Sequence, residues 1–204
     1  MTTALKTFPA GTLPIGRHDR SETRVWLGTA TVGHAVRQRK SWGPQLEAME
    51  ALDAKWDWRV EVEAMHREPE KRLVLAVCQR DKGGRVHALV NLVVQPGASR
   101  LERGADLLYI DMLAVAPWNR AGQAGREVKG LGPLLIQAAI LVSRQAGLGG
   151  AFGLHSLPDP ATLKFYADVM GVSPIGIETT AEGKLVYFEA PAERADEMLD
   201  REAS

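Results

Sequence analysis

Few places in this chain carry residues that could do chemistry. Between Leu107 and Ala116 runs an apolar segment holding one acid, Asp111, with a tyrosine two positions before it, Tyr109. Strand alternation puts Tyr109, Asp111, Leu113 and Val115 on one face, and Ile110, Met112 and Ala114 on the other. An acid in such company is either a satisfied buried carboxylate, bonded to backbone or to an arginine, or a group placed to meet a ligand. Further on, Val128-Lys129-Gly130-Leu131-Gly132 leads into the apolar run from Leu134 to Val142. A helix start preceded by glycines offers amide N–H groups with no intrahelical partner, which suits a phosphate. Pro133 falls in the first helical turn, where a missing N–H is tolerated.

The elements that must position these residues follow from periodicity and turn chemistry. Residues 1–20 are rich in prolines, glycines and polar residues and read as a loose arm. Thr23 to Gly28 alternates as a strand. From Ala30 to His66 apolar residues recur at helical spacing, and the pattern predicts two helices broken near Ser41 to Pro44. Arg72 to Gln79 and Arg85 to Gln95 are apolar and β-branched, and the Asp81-Lys82-Gly83-Gly84 turn between them predicts an antiparallel hairpin. Pro96 to Gly104 is a loop. The strand from Leu107 and a helix stopped at Gly147 come next. Ala151 to Leu157 is a strand, Ala161 to Met170 a short helix stopped by Gly171, and Lys184 to Ala190 a last strand. Pro191 to Ser204 reads as an acidic tail. This order predicts an α/β domain over residues 21–191, with a single mixed, mostly antiparallel central sheet flanked by helices.

Bulk composition narrows the function classes. The chain has 204 residues, 45% of them hydrophobic and 25% charged, which suits one domain with an ample core. Lys and Arg number 25 and Asp and Glu number 25, so there is no basic excess of the kind that nucleic acid or a membrane surface requires. A lone cysteine, Cys78, excludes an intramolecular disulfide and a multi-cysteine zinc site. His18, His34, His66 and His87 show no metal spacing, so no metal is expected. No segment reads as a signal peptide or membrane span, and the expected location is the cytoplasm.

Taken in order, these motifs resemble those of the GNAT superfamily of acetyl-CoA-dependent N-acetyltransferases, over roughly residues 72–190. Leu113-Ala114-Val115-Ala116-Pro117 matches the apolar-Val-x-Pro end of that family's fourth strand. Glu127-Val128-Lys129-Gly130-Leu131-Gly132 stands in place of its pyrophosphate loop, with Glu127 where Arg or Gln is usual. Asp159, Thr162, Phe165-Tyr166 and Gly171 occupy the places of its Asn, small residue, Phe-Tyr and glycine. The segment from Trp118 to Gly125 is longer than the family's.

The resemblance implies acetyl-CoA as cosubstrate and an amine-bearing small molecule or peptide as acceptor. Leu113, Ala114 and Val115 would pair with the pantetheine arm. Val128, Lys129, Gly130, Leu131 and Gly132 would hold the pyrophosphate, with Arg126 or Lys129 supplying charge and Asp159 also contributing to cofactor binding. Tyr166 would protonate the departing thiolate, and Asp111 or Tyr109 would serve as base or hold a water. A base has work to do, because on the order of one in a thousand lysine-like amines is neutral at pH 7. The alternative is a catalytically silent CoA binder acting through a protein partner; pairing into a homodimer is also common in the family. Three further features have everyday readings: His155 as a hydrogen-bonded strand residue, Cys78 as core, and Trp42, Trp56 and Trp58 as helical packing.

Overall fold

The computed structural model describes residues 5, 8–16, 21–180 and 183–202. Of the expected arm, residues 1–4, 6–7 and 17–20, His18 among them, lie outside them, as do the last two residues of the expected tail. Eight strands form one mixed sheet in the order β1-β2-β3-β4-β5-β6-β8-β7. The strands are β1 (Gly11–Gly16), β2 (Glu22–Thr29), β3 (Arg72–Gln79), β4 (Val86–Gln95), β5 (Leu107–Val115), β6 (Phe152–Ser156), β7 (Pro174–Thr180) and β8 (Gly183–Ala190). The helices are α1 (Val32–Ala48), α2 (Trp58–Arg67), α3 (Leu131–Gln145), α4 (Pro160–Lys164) and α5 (Ala192–Glu202). The expected α/β architecture is borne out. No helix among the described residues is long and apolar enough to cross a membrane.

The chain divides into two compact units, one of Thr7–Asn91 with Met112–Leu135, the other of Leu92–Asp111 with Ile136–Ser204 and the first six residues. In the first unit, β1, β2 and β3 pair antiparallel in sequence. The β3 run Leu73 to Cys78 is buried throughout, which requires residues apolar on both faces rather than alternating. The turn into β4 is set by Asp81, whose carboxylate accepts the Gly83 amide at 2.8 Å and whose carbonyl accepts the Gly84 amide at 3.0 Å. A Cβ on Gly84 would lie 1.9 Å from the Gln79 carbonyl oxygen, so only glycine fits.

Two sequence expectations fail here. Residues 11–16 form β1 instead of a loose arm; one Pro and two Gly masked a strand that pairs along its whole length with β2. The break between the first two helices falls after Ala48, not near Ser41 to Pro44, and Pro44 sits inside α1. Proline removes one helical hydrogen bond, but Trp42 and Leu46 on either side are fully buried and pin both turns. The Trp42 indole also donates to the Val86 carbonyl at 3.0 Å. Trp42 and Trp58 are core, as expected, and so is Cys78; Trp56, expected to pack in the same way, is half-buried and follows the short 3-10 turn Leu52–Lys55 outside both helices.

In the second unit, the parallel ladder of β5 with β6 pairs Leu108, Tyr109 and Ile110 with Phe152, Gly153 and Leu154. Strand β8 pairs antiparallel with both β6 and β7. Strand β7 has no counterpart in the sequence reading, because Pro174 and Gly176 flank its start and a register shift interrupts its ladder there. Helix α3 ends as read: Gly147 takes φ +80°, its amide reaches the Arg144 carbonyl, and the Leu148 amide reaches that of Ser143. The expected acidic tail is mostly the helix α5.

Candidate active site

Along β5 burial follows the alternation the sequence implies from Leu108 to Asp111 and again from Leu113 to Val115, with Met112 half-buried like its neighbour Leu113. Leu108, Ile110 and Ala114 are buried, Tyr109, Leu113 and Val115 are half-buried, and Asp111 is exposed. Exposure removes the buried-acid reading of Asp111. The ladder to β6 ends at Ile110, so Asp111–Val115 lies beyond it.

Tyr109 and His155 stand on adjacent strands with Tyr109 Oη 2.6 Å from His155 Nδ1. His155 Nε2 is 3.0 Å from Glu178 Oε2 on β7. Glu178 also forms an ion pair with Arg100, and this bond, followed by that to His155, holds its carboxyl below the usual range. The Arg100 guanidinium lies 3.8 Å over the ring of Tyr187. The Tyr187 hydroxyl in turn donates to Glu189 at 2.8 Å. Burial works to raise the carboxyl of Glu189, but Ser99 Oγ, the Arg100 and Leu101 amides and Tyr187 together hold it down. Burial, reinforced by the charge of Asp111, pushes the Tyr109 phenol up to about 12. Gly153 makes room for this cluster, since a Cβ there would be 2.7 Å from both Leu107 Cδ2 and Tyr187 Oη.

Tyr166 is buried in a single π-turn, Phe165–Val169, that continues α4. Its ring lies 5.1 Å from that of Phe188 and 5.0 Å from that of Phe165. Burial pushes its phenol up to about 12, so it is protonated at any physiological pH. Asp159 is the N-cap of α4, accepting the Ala161 and Thr162 amides at 3.0 and 3.2 Å and the Thr162 hydroxyl. Its carboxylate is thus committed to starting the helix that carries Tyr166.

The segment expected to hold phosphate belongs to the other unit, and its long approach is ordered by one side chain. Asn119 is fully buried. Its Oδ1 accepts the amides of Glu127 at 3.1 Å and Val128 at 3.0 Å, and its Nδ2 donates to His87 Nδ1 at 2.9 Å. The Lys129 amide is bonded to the Gly16 carbonyl of β1 at 2.9 Å. The amides of Val128 and Lys129 are therefore already in use. Gly130, at φ +76°, then turns the chain so that Leu131 and Gly132 begin α3. Their amides are first-turn donors that no intrahelical carbonyl can reach. Glu127 is neutralised by Arg85 at 2.7 Å, and the Arg85 guanidinium lies 3.9 Å over the Trp118 ring. Lys129 is exposed, and Arg126 is half-buried with its Nε lacking a hydrogen-bond partner. The Val115 carbonyl accepts from Arg120 Nε at 3.1 Å, while the same guanidinium is ion-paired with Asp53.

Sequence reasoning missed Asn119, Arg85, Glu178 and Arg100. Asn119 follows directly on Pro117-Trp118, and a buried polar residue closing an apolar strand was a usable signal. Glu178 had none, because the strand bearing it was not read.

No family model matches the sequence, and no curated protein does. Solved structures do match. The NatC complex bound to Gag peptide and CoA superposes with a TM-score of 0.57 at 15% identity, over 82% of this chain and 98% of that one. The microcin self-immunity acetyltransferase MccE, in complex with acetyl-CoA and AMP, gives 0.59 at 15% identity over 82% and 92%. RimJ of Mycobacterium smegmatis, in complex with CoA-disulfide, gives 0.55 at 15% identity over 98% and 95%. A strand whose end runs past its ladder, a glycine turn into a helix and a later Phe-Tyr turn are thus set in a sheet shared with these enzymes, and the chain has the fold of the GNAT acetyltransferases.

Proposed function

We propose that the protein is an acetyl-CoA-dependent N-acetyltransferase that transfers the acetyl group to a primary amine by direct attack on the thioester. The observation that carries this is the glycine turn at Gly130, which opens α3 with the amides of Leu131 and Gly132 directed out of the helix. The fold neighbours in complex with acetyl-CoA or CoA support the same cosubstrate. The residues present fit it. Leu131 and Gly132 head α3 with first-turn amides that no intrahelical carbonyl can reach, Arg85 cancels the unfavourable charge of Glu127, and the Arg126 Nε awaits an acceptor. Of the cradle residues expected from sequence, Gly130, Leu131 and Gly132 would hold the pyrophosphate. Val128 and Lys129 would shape the turn, with the Lys129 side chain adding charge.

On this reading the backbone of Leu113 to Val115, beyond the end of the β6 ladder, receives the pantetheine arm as an added strand. Tyr166 donates a hydrogen bond to the departing sulfur. A phenol near 12 is far less acidic than a thiol, whose reference pKa is about 8.5. Hydrogen bonding to the thiolate therefore describes its part better than full proton transfer. The test is calorimetry with acetyl-CoA against ATP and NAD, followed by thiol release with polyamines, aminoglycosides, amino acids and peptides. Heat with acetyl-CoA alone and turnover of one amine class are expected. No heat with acetyl-CoA would sink the reading, and binding without turnover would leave a silent CoA binder.

A further inference from the structure

Helix α5 supplies no residue to the site described above, yet it is seated closely within its unit. It follows β8 directly, its Ala195 and Met198 are buried, and the Pro191 carbonyl accepts the Ala195 amide at 3.1 Å. A Cβ on Gly149 would lie 3.2 Å from Ala192 Cβ, and one on Gly150 3.1 Å from Ala195 Cβ. Glycines therefore let the turn after α3 approach the helix, and an ion pair between Arg144 and Asp196 ties α3 to it.

The same helix reaches the turn that carries Tyr166. Arg194 Nη2 donates to the Met170 carbonyl at 3.2 Å, and its guanidinium also pairs with Glu197 one turn on. Gly171, at φ +61°, makes room for it, since a Cβ there would fall 1.7 Å from Arg194 Nη2. A basic side chain at the end of a helix satisfies carbonyls that the helix itself leaves open. The end here is a π-turn, a rare form of backbone that needs support from its surroundings. The Met170 amide donates to the Phe165 carbonyl at 3.0 Å, and the Val172 amide to the Tyr166 carbonyl at 2.9 Å. Arg194 thus grips the carbonyl between the two amides that hold the backbone of Phe165 and Tyr166. The Tyr166 ring meanwhile packs on Phe188 of β8, the strand that leads into α5.

We propose that α5 is a buttress for the acyl-transfer site and that Arg194 is a positioning residue acting through Tyr166. On the acetyltransferase reading, on which this rests, the Tyr166 hydroxyl meets the departing sulfur. A ring whose backbone is held by Arg194 and whose face is held by Phe188 keeps its hydroxyl in place as charge develops on sulfur. Misplacement by about 1 Å can cost on the order of a hundredfold in rate. Arg194 itself touches neither cosubstrate nor acceptor on this account, so its effect falls on kcat and not on acetyl-CoA binding.

The experiment follows thiol release from acetyl-CoA with polyamines, aminoglycosides, amino acids and peptides as acceptors. The parent chain is compared with Arg194→Met, Arg194→Lys, Tyr166→Phe and the Tyr166→Phe/Arg194→Met pair. Arg194→Met should lower kcat about tenfold with acetyl-CoA affinity, by calorimetry, within about twofold of the parent. Arg194→Lys keeps a donor for the Met170 carbonyl and should recover most of the loss. In the Tyr166→Phe background Arg194→Met should cost about twofold at most, since no hydroxyl remains to be positioned. An equal loss in both backgrounds, or an undiminished kcat, overturns the positioning role while leaving the acetyltransferase reading intact. A parent chain that binds acetyl-CoA and acetylates none of these amines overturns both. Hydrogen exchange gives a readout independent of turnover: the Met170 and Val172 amides should exchange about tenfold faster or more in Arg194→Met, with those of β5 unaffected. Equal protection in the two chains overturns the buttress, and Arg194→Lys serves the same comparisons if the methionine variant does not fold.

Discussion

Asn119 Oδ1 accepts the backbone N–H of Val128 at 3.0 Å from a fully buried position, and this bond fixes the approach to the glycine turn. Asn119→Ala removes it together with the bonds to Glu127 and His87. Leaving buried groups unsatisfied costs roughly 1–3 kcal/mol each. The variant should lose about 2–4 kcal/mol in urea unfolding and bind acetyl-CoA at least tenfold more weakly. Unchanged affinity would mean that the turn holds its shape without Asn119.

Gly130→Ala probes the turn itself. A Cβ there meets nothing within 4 Å, so any effect comes from the backbone at φ +76°. Non-glycine residues in that region cost about 1 kcal/mol. A stability loss of that size is expected, with acetyl-CoA affinity in calorimetry falling by a factor of ten or more. If affinity falls no further than stability explains, the amides of Leu131 and Gly132 are not the pyrophosphate contacts.

Tyr166→Phe keeps the ring packed on Phe165 and Phe188 and deletes only the hydroxyl. Acetyl-CoA affinity should stay within twofold, while kcat falls about ten- to hundredfold. Steady-state thiol release measures both, and retained turnover would remove Tyr166 from the mechanism.

Acid should unfold the protein earlier than its carboxylates alone dictate. Burial lowers His87 from 6.5 to about 4. The unfolded chain binds a proton here below about 6.5 and the folded chain resists until about 4, so stability is complete above 6.5 and is lost as pH falls through that window. The 2.5-unit gap is worth up to about 3 kcal/mol. His34, also lowered by burial, adds to the loss in the same direction, because its Nδ1 accepts the Thr31 amide at the start of α1 at 2.9 Å. Urea midpoints at pH 7 and pH 4.5 should differ less for His87→Gln than for the parent chain.

Much of this was legible in the chain, where local rules decide. The hairpin turn at Asp81, the stop at Gly147, the alternation along β5 and the glycine turn at Gly130 each follow from residues within a few positions of one another. What failed depended on distant partners. Pro44 breaks a helix on local grounds, but the burial of Trp42 and Leu46 overrides it. Strand β1 has poor strand composition and exists because β2 pairs with it. The cluster on β5, β6 and β7 is the clearest case: Tyr109 and His155 are each legible as polar residues on strands, but their pairing needs the β5–β6 register, and Glu178 needs a strand that composition conceals.

The bond from the Lys129 amide to the Gly16 carbonyl sets a schedule on the ribosome. Gly16 and Lys129 are 129 − 16 = 113 residues apart. At about 5–20 residues per second, roughly 6–23 seconds separate their synthesis. Strands β1 and β2 can close as a hairpin at once, but the Gly16 carbonyl then waits while most of the sheet is made. The glycine turn consequently cannot mature until β2 to β5 and the helices between them have been made. Slowed translation would prolong the interval in which nascent protein carries an early hairpin and no finished cradle.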